Sequence, residues 1–192
     1  FVLNRSPSYG IAGGIQTWFI DEHNPIDGTR LVNIYTSGTP SSGSSWLVAD
    51  LISAQNLLNV AVGTLPSNCQ VVSVFLNGSV AGVVANFPFQ APQCGVESLA
   101  LDDQGRILVG GHTNDFANNL ARASLWRLLP QGNAWQLDSS FGASGVIVFQ
   151  KPSSLGAGNV LTTRVVYDQA FRVTVFARHR DLTTTTNDNT IV

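Results

Sequence analysis

The sequence predicts an all-β domain assembled from repeated antiparallel hairpins. Three observations carry that prediction: short apolar runs alternate around Asp/Gly turns, the same run–turn–run pattern returns along the chain, and charge is scarce. Charged side chains make up 11% of the 192 residues, with Lys151 the sole lysine and a net charge of −2. An ordinary soluble domain carries roughly 25%. The length suits one domain with a real core, read as a single unit over residues 1–192 that is either complete or a piece completed by further chain.

The elements follow in order. FVLNR reads as an apolar strand, and SYGIAGG after it is an aromatic-Gly turn in which Tyr9, Gly10 and Gly13 match Phe141, Gly142 and Gly145 of SFGASGV. Phe19 to Tyr35 is a hairpin interrupted by Asn24-Pro25 and Asp27-Gly28, both turn signals. Thr39 to Ser45 is a loop. Trp46 to Gly63 reads as a second hairpin, with Val48, Leu51 and Gly63 in register with Val96, Leu99 and Gly111; a helix through Leu51, Gln55, Leu58 and Val62 is the competing reading. Val71 to Leu76 and Val80 to Val84 flank Asn77-Gly78, the strongest two-residue hairpin signal.

The clearest stretch is Val96 to Phe149. Alternation puts Val96, Ser98 and Ala100 on one side and Glu97, Leu99 and Leu101 on the other. Asp102-Asp103-Gln104-Gly105 breaks the run, and Arg106 to Val109 resumes it. Gly105 supplies the positive φ such a turn needs. Ala121 to Leu129 is a further strand, with a short helix as its competitor, stopped at Pro130 to Gly132. LDSSFGASG is a turn into the strand VIVFQ. TRVVYDQAFRVTVFARHRD repeats the hairpin, with Val165, Asp168, Arg172 and Val173 matching Leu99, Asp102, Arg106 and Ile107.

The segments L-x-L-D-D-Q-G-R-I-L-V-G-G, F…L-A-R and L-D-S-S-F-G-A-S-G-V resemble the delta-sixty repeat of large secreted or surface bacterial proteins. The resemblance covers Val96 to Phe149 closely and the rest weakly. FANNLAR and LPQGNAWQLDSSFG are longer than the compact family form. The resemblance implies a β-propeller-like fold of about three to four blades and brings no catalytic residues. By the phase of the repeat, the chain starts and ends in mid-repeat, so a strand shared between the termini is expected to close a ring.

Composition excludes some partners. The acidic balance leaves no electrostatic footprint for nucleic acid, and no run approaches the length of a membrane helix. No methionine occurs, even at position 1, which suggests a trimmed chain. Cys69 and Cys94 are the only cysteines and suggest one disulfide in an oxidising compartment, two buried thiols being the alternative. No metal or cofactor motif is present.

Few residues suggest chemistry. His23 lies beside Asp21, Glu22 and Asp27, and His112 near Asp115, so acid–base work on one face of a ring is conceivable; solvated loop histidines are the plainer reading. Trp46 and Trp135 sit in polar, amide-rich surroundings and are candidates for sugar stacking. Arg178-His179-Arg180-Asp181 is the only basic cluster, read as a solvated strand end. The expected function is therefore a non-enzymatic binding or scaffolding module, secreted or at a cell surface, with glycan or protein as ligand and Trp46, Trp135, His23 and His112 as candidate contacts. The alternative is a secreted hydrolase using His23, His112 and neighbouring acids. A homo-oligomer, or a further chain completing the propeller, is the expected assembly.

Overall fold

The computed structural model describes residues 2–5, 18–36, 45–54, 57–65, 68–77, 79–85, 95–115, 120–132, 134–154, 158–168, 170, 172–181 and 189–191. Its elements are strands in four antiparallel sheets. The first sheet holds β1 (Val2–Arg5), β2 (Trp18–His23) and β3 (Arg30–Thr36). The second holds β4 (Ser45–Ala54), β5 (Leu57–Leu65), β6 (Asn68–Phe75) and β7 (Val80–Ala85), paired in chain order. The third holds β8 (Gly95–Leu101), β9 (Ile107–Asp115), β10 (Leu120–Gln131) and β11 (Ala134–Leu137), with β12 (Val146–Val148) also paired to β10. The fourth holds β13 (Gly158–Tyr167), β14 (Val173–Asp181) and β15 (Asn189–Ile191). The helical alternatives over 46–63 and 121–129 are not adopted; both stretches pair as strands.

Repetition dictates the local chemistry. In the third sheet Asp102 Oδ1 accepts the Gln104 and Arg106 amides at 3.0 and 2.9 Å, and Arg106 Nε donates to Oδ2 at 2.6 Å. The fourth sheet repeats the clip: Asp168 Oδ1 accepts Ala170 N and Arg172 N, and Arg172 Nε donates to Oδ2 at 2.9 Å. Gly105 takes φ 71°, as its turn requires. The second sheet lacks the Asp/Arg pair, and its turn is one residue tighter. Val48 therefore pairs with Val62, whereas Val96 pairs with Gly111. The expected alignment of Gly63 with Gly111 is corrected by that residue.

A second correction concerns the faces. β4, β8 and β13 each carry a bulge at the same place, at Ala49, Glu97 and Thr163. One inserted residue reverses the facing of everything on one side of it. Val96 consequently joins Leu99, Val109, Trp126, Leu128 and Trp135 in a core shared with Ala54 and Val71 of the second sheet. Ala100, Leu108 and Leu125 face the other way and pack on Val165 of the fourth sheet, beside Ala123 with Val160 and Ala177. The third sheet is thus buried on both faces. That explains why its inner strands read apolar at nearly every position.

β1 and β15 belong to different sheets, paired with β2 and β14. The described pairing therefore does not join the two ends of the chain in one sheet, contrary to the expected shared strand. No described helix is long and apolar enough to cross a membrane. The Tyr9-Gly10-Gly13 turn and Cys94 lie outside the described residues. Of Cys69 only the backbone is described, in β6, so the expected disulfide falls outside as well.

Candidate functional site

The bulges place polar groups between neighbouring sheets. Asp50 and Ser98 each follow the bulge of their inner strand. Asp50 Oδ2 accepts the Leu99 amide at 2.8 Å and the Ser98 hydroxyl at 3.1 Å. Ser98 Oγ in turn accepts the Val165 amide at 3.2 Å. The second and third sheets thus each offer an oxygen to the equivalent amide of the next sheet. A buried polar group costs free energy unless it is bonded, so these bonds fix how the sheets stack.

A second node crosses between the second and third sheets. Asn59 is fully buried; its Oδ1 accepts Ser73 Oγ at 2.6 Å and Trp135 Nε1 at 2.7 Å, while Nδ2 donates to the carbonyls of Ala54 and Leu57. Trp135 is 5% exposed. Its ring is core, and the reading of Trp135 as a stacking surface for sugar is corrected: the indole is oriented inward by the Asn59 acceptor. The side chain of Trp46 lies outside the described residues.

The histidines separate. His23 ends β2 and its Nδ1–H donates to the Gly28 carbonyl at 2.8 Å, which closes the first hairpin's turn. His112 is not in a loop: it lies within β9, opposite Gly95. A Cβ on Gly95 would fall 1.8 Å from His112 Cε1, so the ring lies directly over that glycine. His179 is likewise within a strand, 4% exposed, with Nε2 against the bare Cα of Gly158. His23 and His112 stand on different sheets, in β2 and β9; among the described residues no group of three or more His, Cys, Asp or Glu is arranged to hold a metal.

The charge of Arg178 reaches both His112 and Glu97. Burial lowers the His112 imidazole below its ordinary value, and the positive Arg178 adds to the effect. Burial raises the Glu97 carboxyl, with Arg178 opposing. Glu97 keeps solvent-exposed surface at its bulge, yet its surroundings are dense enough to disfavour the carboxylate. His112 Nδ1 is buried without a hydrogen-bond partner. Sequence reasoning singled out His112 but missed Glu97, because a bulge leaves no periodic mark.

Asp138 and Asp103 serve structure. Asp138 accepts the Ser140 amide and hydroxyl and is clamped by Arg127 at 2.6 Å. The Ser140 bond, together with Arg127, holds its carboxyl below the usual range. Asp103 Oδ1 accepts Tyr167 OH at 2.7 Å, tying the third sheet's turn to the fourth sheet.

The fold and these contacts define an all-β protein of stacked antiparallel sheets joined by side-chain bridges. Comparison of the chain with protein-family models, with curated proteins and with solved structures finds no match.

Proposed function

We propose that the chain is a non-enzymatic binding or scaffolding module of a secreted or surface bacterial protein, propeller-like with each of the four sheets as a blade, and that it holds a glycan or protein ligand at the ends of its sheets. The observation that carries this reading is the use of its polar groups: acids and amides recur at matched positions as turn clips and inter-sheet bridges, as in Asp102–Arg106 and Asp168–Arg172. Such repetition builds a rigid frame with exchangeable edges, and function on such frames resides in grafted sites. The matched clips also support kinship with the delta-sixty repeat. The ligand contacts are drawn from His112, Glu97 and Arg178, with Trp46 and His23 as further candidates. A glycan array combined with capture of extracellular proteins tests the proposal. Specific retention that falls at least about tenfold, or 1.4 kcal/mol, in Arg178→Ala supports it.

One observation favours a second reading, a hydrolase: the opposed displacements of Glu97 and His112. Turnover of ester or glycoside substrates that is lost in both Glu97→Gln and His112→Phe would replace the binding reading with the enzymatic one.

A further inference from the structure

Among the described residues, the last sheet leaves one face uncovered, and its chemistry differs from that of the matching faces inside the stack. Directly after the bulge, Asp50 pairs with Ala61 in the second sheet and Ser98 with Gly110 in the third. Both pairs combine an oxygen acceptor with a small residue. The acceptor takes the next sheet's amide, and Gly110 lets that sheet approach so closely that an added Cβ would fall 2.3 Å from Val165 Cγ2. In the fourth sheet the same register position pairs Arg164 with Phe176. Acceptor has become cation, and the small residue has become a large ring.

Phe176 is 42% exposed and Val166 on the same face 37%. Arg164, opposite Phe176, and Arg178 and Arg180, at alternate positions further along β14, are exposed. A further sheet of the internal kind does not fit here: it would meet a phenyl ring where it needs a gap, and a guanidinium where its amide needs an acceptor. The face calls for apolar side chains interleaved with carboxylates.

The first hairpin offers that combination at the opposite end of the stack. Ile26, Leu31 and Val32 are 93%, 58% and 46% exposed. Glu22 pairs with Val32 across the strands, and Asp27 is exposed in the turn. We infer that the exposed face of β13–β14 docks the β2–β3 hairpin of a second copy of this chain, head to tail, with Phe176 and Val166 against Leu31 and Val32 and the arginines facing Glu22 and Asp27. The contact is heterologous, so it propagates or closes into a ring of copies rather than stopping at a two-fold dimer. The inference shares only Arg178 with the ligand contacts proposed above, and its test leaves that residue unchanged.

Sedimentation equilibrium from micromolar to millimolar chain tests it. Wild type is expected to pass from the 20.5 kDa monomer to dimers and larger species, and added salt should weaken the association. Phe176→Asp and Leu31→Asp, both at exposed positions, should each remain monomeric. An equimolar mixture of the two variants retains one intact interface and should give dimers that grow no further. Arg164→Glu should weaken self-association at least about tenfold, and a Glu22→Arg partner should restore it. Wild type that stays monomeric, a Leu31→Asp chain that still self-associates, or a mixture that stays monomeric while both variants melt like wild type would overturn the inference.

Discussion

Gly110→Ala tests whether close approach of the third and fourth sheets sets the stack. Gly110 is buried in β9 and takes no positive φ. On backbone grounds alone, alanine there should stabilise by about 0.4–1 kcal/mol, through a less flexible unfolded chain. The surroundings oppose that gain: the new methyl would lie 2.3 Å from Val165 Cγ2 and 2.8 Å from Thr162 Cγ2. Both neighbours are β-branched and buried, at 3% and 1% exposure, so neither side chain can swing clear. Overpacking of this kind costs about 1–3 kcal/mol, which outweighs the backbone term. A domain of this length loses about 2–4 °C per kcal/mol, so a drop of several degrees in Tm is expected. Urea denaturation followed by tryptophan fluorescence reads the change, since Trp126 is fully buried in the same sheet. Val165→Ala removes the opposing methyl. In the Gly110→Ala background it should cost less than it does alone, with a coupling of about 0.5–3 kcal/mol. A neutral or stabilising Gly110→Ala, or strict additivity of the pair, would refute the packing argument.

Two further predictions follow from the buried polar groups. Asn59→Leu leaves Trp135 Nε1 and Ser73 Oγ without their shared acceptor; each buried loss costs about 1–3 kcal/mol, and a falling urea midpoint together with an altered tryptophan emission checks it. His112 and Glu97 should give opposite pH dependences. The folded His112 value lies below the 6.5 of an unfolded imidazole, so the unfolded chain binds more protons near that pH, and His112's contribution is lost as pH falls from 6.5 towards the lower folded value. The folded Glu97 value lies above 4.5; its contribution is complete below 4.5 and is lost as pH rises through the folded value. Stability against pH for wild type, His112→Phe and Glu97→Gln checks both signs: the first variant should flatten the dependence just below 6.5, the second the dependence just above 4.5.

Much of the local structure was legible in the residues. Asp102…Arg106 and Asp168…Arg172 specify their turns because carboxylate, amides and guanidinium lie within a few residues of one another. Asn77 does the same on a smaller scale, accepting the Ser79 amide and hydroxyl. Strand pairs joined by such turns need no distant information. The candidate site was legible only in part. His112 stood out by residue type, but Arg178 lies far from it in sequence, and its influence on the imidazole exists only once β13–β14 stacks beside β8–β9.

The sequence by itself determined the strands, the turns and their recurrence, since these rest on neighbours in the chain. The tertiary structure alone decided which way the side chains face. A bulge at Glu97 inside a run that is apolar on both faces leaves no trace in the pattern, because Leu99, Ala100 and Leu101 suit either side. Only packing against Ala54 on one face and Val165 on the other fixes the choice. The same holds for Trp135: its polar neighbours in sequence point to the surface, and the Asn59 acceptor on another sheet draws it into the core.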